Sequence, residues 1–81
     1  MYYVYVLLSL NYQTRYVGST DDIDRRLKEH NQGKSRYTKG RKPWKLIYKE
    51  SYNTKEEALE REKFLKTGKG RELLDELIHN E

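Results

Sequence analysis

Residues 2–8, YYVYVLL, are aromatic, β-branched or aliphatic at every position. Such a run reads as a buried strand. It is too short to span a bilayer. It also lacks the basic start and small-residue cleavage site of a signal peptide. The expectation is a cytoplasmic chain with no membrane contact. A buried strand needs partners and a cover, and the chain has 81 residues to supply them. That length predicts a single domain over 1–81 with a modest core. Cysteine is absent, which excludes a disulfide framework or a thiolate metal site.

The remaining elements follow from turn signals and periodicity. SLNYQT is polar, with a turn signal at Asn11, and RYVGS reads as a second strand, giving a hairpin over 2–18. Thr20 or Asp21 is positioned to cap a helix over about 22–31, which Gly33 ends. The basic loop GKSRYTKGRKP leads into a third strand, WKLIYKESY, in which Trp44, Leu46 and Tyr48 alternate with Lys45, Ile47 and Lys49. Thr54 and Glu57 form a capping box for a helix over about 55–66, with Gly68 as its stop. Leu73, Leu74, Leu77 and Ile78 form the apolar stripe of a last helix over about 70–79. The order ββαβαα predicts an α+β domain, a small three-stranded antiparallel sheet flanked by helices.

Charge is unevenly spread. Residues 25–49 carry ten basic side chains and one acidic, net +9, while the segments on either side are net acidic. A basic block of this density fits a polyanionic partner. Its plainer explanation is a solvated face.

Helical geometry sorts the other charges. With Ile23 at zero, His30 falls at about −20°, Arg26 at about −60° and Arg25 at about 200°. His30 therefore lies in the apolar stripe, Arg26 on its edge, and Arg25 in water. Arg26 either snorkels along the core or meets a partner inside. In the later helix, with Ala58 at zero, Glu62 falls at about +40°, within the apolar arc, whereas Glu60 faces out; Arg61 at about −60° and Lys66 at about +80° also fall in or near the arc, so the angles do not single out Glu62. A carboxylate so placed must be neutralised, paired or metal-bound. A salt bridge to Arg26 or Arg61 is the structural alternative.

Taken in order, YVY (3–5), YVG (16–18), DIDRRLKEH and EALEREKFLK resemble the GIY-YIG nuclease family over nearly the whole chain. The resemblance implies roles by position. Tyr5 and Tyr16 match the tyrosines of the two motif tripeptides, and Gly18 the glycine of the second. Arg26 matches the catalytic arginine. His30 stands at a position held by histidine or tyrosine. Glu62 matches the glutamate that holds a divalent metal. Two residues depart from the pattern: Tyr3 replaces the first motif's glycine, and Ser19 stands where some repair enzymes of the family carry lysine.

The activity implied is metal-dependent hydrolysis of phosphodiester bonds in DNA, by nicking or structure-directed cleavage; RNA is a further candidate substrate. A single Mg²⁺ or Mn²⁺ on Glu62 would suffice, because Mg²⁺ keeps several waters and takes phosphate oxygens as further ligands. Arg26 would grip the scissile phosphate. Tyr16 is the expected base, with Tyr5 orienting the water and His30 assisting; either the metal and Arg26 lower a phenol pKa of about 10, or the tyrosine serves only to orient. For both tyrosines plain core packing is the alternative. Lys34, Arg36, Lys39, Arg41, Lys42 and Lys45 would contact backbone phosphates. Tyr37 and Trp44 are candidates for stacking on a base, Trp44 being read first as core. A protein partner or a homodimer would supply specificity. The competing functions are a non-catalytic basic nucleic-acid-binding module and an interaction protein with a basic face.

Overall fold

The computed structural model describes residues 1–79, without the side chain of His79. The elements are β1 (Tyr2–Ser9), β2 (Arg15–Thr20), α1 (Ile23–Asn31), a 3₁₀ turn at Lys39–Arg41, β3 (Trp44–Tyr52), α2 (Lys55–Leu65) and α3 (Gly68–His79). The three strands form an antiparallel sheet in the order β2-β1-β3. The apolar run 2–8 is thus the central strand, covered on both faces. Val4 and Val6 point to one face and pack with Ala58 of α2, Leu65 at its end and Leu74 of α3. Tyr5 and Leu7 point to the other and pack with Trp44, Ile23 and Leu27. Continuous hydrophobicity, rather than alternation, is what a strand between two helical layers requires.

The third strand departs from the simple alternation. Val6 pairs with Tyr48 and Leu7 with Leu46, so Ile47 is an extra residue in β3. This irregularity reverses the side-chain parity. Trp44 and Leu46 join the α1 face, and Tyr48 joins the α2–α3 face instead of following them. The polar atoms of β3 and α2 then meet. Glu50 accepts hydrogen bonds from the Tyr48 and Tyr52 hydroxyls, both at 2.6 Å, and from Nε and Nη2 of Arg61 at 2.9 and 3.1 Å.

Two helix ends differ from the sequence expectation. The cap of α1 is Asp22, not Thr20 or Asp21. Its carboxylate accepts from the Arg25 backbone N–H at 3.1 Å. Thr20 Oγ1 is committed to the Asp22 N–H, and Asp21 pairs with the Arg25 side chain. The Thr54–Glu57 capping box of α2 is present. Gly68, however, opens α3 instead of closing α2. Thr67 Oγ1 accepts from the Gly70 N–H at 3.1 Å, the bond that a capping hydroxyl makes. The helix start therefore lies two residues before the expected one.

Gly70 is needed for close approach. A Cβ there would lie 2.5 Å from the Leu65 Cα and closer still to the Phe64 carbonyl, and backbone cannot yield. Gly68 has open space around it. Gly70→Ala should therefore lower the unfolding free energy by about 3 kcal/mol. Gly68→Ala should leave it unchanged or raise it by up to about 1 kcal/mol. Urea denaturation of the two variants checks both.

Candidate active site

Tyr5, on the central strand, lies opposite Gly18 of β2. A Cβ at residue 18 would sit 2.6 Å from the Tyr5 hydroxyl. The missing side chain is thus the space the hydroxyl fills. Tyr16, two residues earlier on the same face, lies opposite Leu7.

The Tyr5 ring is 1% exposed, and its hydroxyl meets His30 Nε2 at 3.0 Å. The other ring nitrogen of His30 is 2.7 Å from Thr38 Oγ1. Both His30 and Thr38 are fully buried. The Thr38 carbonyl in turn accepts from the Trp44 indole N–H at 2.9 Å. Helix α1, the basic loop and β3 are therefore linked through one histidine.

Burial pushes the Tyr5 pKa up to about 12, and the nearby Tyr16 and Glu62 add to the rise. Arg26 opposes it through a hydrogen bond and its charge. Burial, seconded by the Arg26 charge, pushes the His30 pKa down. At neutral pH both rings are therefore uncharged. A neutral imidazole has one donor and one acceptor nitrogen, and the Tyr5 and Thr38 hydroxyls can each donate or accept, so both ring nitrogens are satisfied.

Arg26 is half-buried, with Nη1 donating to Glu29 Oε1 at 2.8 Å. Burial works against its charge, and hydrogen bonds to Glu29 and Tyr5 outweigh that cost. Of the two adjacent arginines, Arg26 reaches inward, while Arg25 lies in water against Asp21.

Glu62 approaches from the α2 side, at the free edge of β2. Its side chain is 19% exposed. It pairs with neither Arg26 nor Arg61, contrary to the structural alternative. Oε1 accepts from Ser19 Oγ and Oε2 from Lys66 Nζ, each at 2.7 Å. Arg61, one helical step away, is aimed at β3 and held by Glu50. Ser19 thus grips the candidate metal ligand.

Tyr16 is half-buried. Its ring centroid is 5.0 Å from His30 and 5.8 Å from Tyr37. It borders an open cleft of about 920 Å³ also lined by Arg15, Tyr37, Lys66 and Arg71. Tyr37 is 76% exposed and Trp44 only 4%, so Trp44 is core. Lys34, Arg36, Lys39, Arg41, Lys42 and Lys45 are all exposed on the loop after α1 and the start of β3. Thr38 and the Ser9 hydroxyl, which donates to the Arg41 carbonyl at 2.6 Å, pin that loop to the sheet.

Tyr5, Tyr16, Gly18, Arg26 and His30 therefore form one cluster. Glu62 lies within its electrostatic reach. Sequence reasoning missed Thr38, Glu29 and Lys66. Glu29 and Lys66 were legible as helical neighbours three and four residues from their partners. A buried threonine in a basic loop carries no sequence signal.

Among the described residues no three His, Asp or Glu side chains gather to hold a metal, and no helix is long and apolar enough to cross a membrane. A lone carboxylate already holding an ammonium suits a cation that keeps most of its water, as Mg²⁺ does. It does not suit one needing several protein ligands.

The family model of the GIY-YIG catalytic domain matches residues 1–74. The chain belongs to this family of nucleases, which generally use a divalent metal and act on nucleic acid. More narrowly, it is similar to UPF0213 proteins. The UPF0213 protein YazA of Bacillus subtilis is 47% identical over 68 residues, covering 80% of this chain and 69% of that protein. A UPF0213 protein of Streptococcus agalactiae is 46% identical over 65 residues, covering 79% and 73%. The solution NMR structure of the UPF0213 protein BH0048 from Bacillus halodurans superposes with a TM-score of 0.57. It shares 38% identity over 95% of this chain and 85% of that one.

The His30 environment has a measurable consequence. A folded-state pKa below the ordinary value means that the unfolded chain binds the extra proton more readily. Stability is then lost as pH falls below the ordinary histidine value of about 6.5, with a slope of up to about 1.4 kcal/mol per pH unit. Unfolding free energies measured from pH 7 to pH 5 should show this loss. In His30→Gln that component of the slope should vanish.

Proposed function

We propose that the protein is a Mg²⁺-dependent endonuclease that hydrolyses phosphodiester bonds in DNA. The observation that carries this reading is the cluster around the Tyr5 hydroxyl, which meets His30 Nε2 at 3.0 Å beside Gly18 and the Tyr16 ring, with Arg26 near it and Glu62 held by the neighbouring Ser19. A pure binding module has no evident use for a mostly buried carboxylate held by Ser19 and Lys66 at the border of the cleft.

In this reading Arg26 donates to the non-bridging oxygens of the scissile phosphate as charge builds on them. Glu29 and Tyr5 hold the guanidinium at the correct angle. Tyr16, the tyrosine open to the cleft, orients the attacking water and relays its proton, taking it on the phenol oxygen as its own hydroxyl proton passes to solvent. Tyr5 and His30 are too buried to meet the water. They act as positioning residues, with Thr38 holding the histidine ring in place. Glu62, steadied by Ser19, holds the metal. That cation, when bound, supplies positive charge at the phosphate and acidifies water. The exposed lysines and arginines of residues 34–45 grip backbone phosphates on either side.

Supercoiled plasmid tests the reading. Wild type with Mg²⁺ should nick it. EDTA should stop nicking, and added Mn²⁺ should restore it. Glu62→Gln and Arg26→Ala should each lose about a hundredfold or more in rate, with circular dichroism spectra unchanged. Undiminished nicking by Glu62→Gln would sink the metal role. A mobility shift without cleavage would identify a binding module instead.

A further inference from the structure

Both oxygens of Glu62 are occupied by the chain itself. Ser19 Oγ holds one and Lys66 Nζ the other. Ser19 is neutral, so Lys66 supplies the charge. Its backbone N–H bonds to the Glu62 carbonyl at the end of α2, which roots its stem one turn beyond the carboxylate. The Lys66 side chain is 49% exposed, against 19% for Glu62. Lys66 also lines the cleft that Tyr16, Arg15 and Arg71 border. A flexible four-carbon stem therefore starts between two anion sites: the carboxylate, and the place where substrate phosphates would run.

Resting on the reading of Glu62 as metal ligand, we propose that Lys66 is a built-in counter-ion that holds the Glu62 carboxylate until a divalent cation displaces it. The released ammonium then moves into the adjoining cleft and pairs with a substrate phosphate. An ammonium and a divalent cation on one carboxylate repel each other, so the free protein binds metal weakly. Substrate gives Lys66 another anion and removes the competition. Metal and nucleic acid then strengthen each other's binding, as linkage requires.

The test reads metal binding, not turnover. Mn²⁺ is titrated into wild type and variants while the paramagnetic resonance of the free ion is followed. Lys66→Gln should bind Mn²⁺ about two- to five-fold more tightly, the fold-change expected for losing a half-exposed ion pair. Lys66→Met, which keeps the stem without the charge, should do the same, and Lys66→Arg should bind no more tightly than wild type. Glu62→Gln should lose binding. Unchanged or weaker affinity in both neutral variants, with Glu62→Gln still defective, overturns the counter-ion role alone. Full binding by Glu62→Gln removes the ligand assignment and this proposal with it. In saturating Mn²⁺, a cleavage-resistant phosphorothioate oligonucleotide should bind Lys66→Gln about two- to five-fold more weakly than wild type. Equal binding would overturn the transfer into the cleft.

Discussion

The hydroxyl of Tyr5 is the point on which the site depends. It sits on the middle strand with helices over both faces, so its oxygen has no water to fall back on. A buried hydroxyl without partners is costly. Here it fills the space left by Gly18, hydrogen-bonds His30 Nε2 and lies within reach of the Arg26 charge. Gly18 comes from β2, and His30 and Arg26 both come from α1. Satisfying one phenol therefore fixes β2 against β1, α1 against the sheet, and the guanidinium against both. Thr38 extends the same chain into the basic loop. The surface proposed to bind phosphate is thus rigidly coupled to the groups proposed to act on it.

The opposite face shows how a second set of polar contacts keeps the acidic residues in their places. Glu50 is half-buried beside α2. Burial raises its pKa, and Arg61, Tyr48 and Tyr52 more than offset that rise, so it stays charged. By claiming Arg61, Glu50 removes a guanidinium that lies in sequence beside Glu62. Glu62 is then left to Ser19 and Lys66, partners that a multivalent cation can replace more readily than a forked arginine. The extra residue in β3 makes this division possible, because it turns Tyr48, Glu50 and Tyr52 together to the α2 face, away from the face of Leu46.

Much of the fold was legible because its signals are local. The run 2–8, the Thr54–Glu57 box and the apolar stripe of the last helix each specify an element without reference to the rest. The inward positions of Arg26, His30 and Glu62 followed from helical angles alone. What was not legible depends on tertiary partners. Thr20, Asp21 and Asp22 are all competent caps, and competition among their side chains selects Asp22. Gly68 reads as a stop by composition, yet the hydroxyl of Thr67 makes it a start. The reversal of parity in β3 leaves no mark on the sequence, since Ile47 suits either face. For Glu62 the angles required a partner, but Lys66, one turn on, was passed over in favour of Arg26 and Arg61.

The charge distribution bears on how one carboxylate can serve as a metal site at all. A small domain with a +9 segment repels free divalent cations before they arrive. Adding carboxylates would strengthen the metal site, but would also repel the phosphate backbone that the basic loop is proposed to attract. With a single carboxylate both demands can be met if the nucleic acid supplies what the protein lacks. Its phosphates cancel the local positive potential, complete the cation's coordination and give Lys66 another anion. Metal affinity would then be greatest where substrate already lies across the cleft, and cleavage chemistry would be assembled only in its presence.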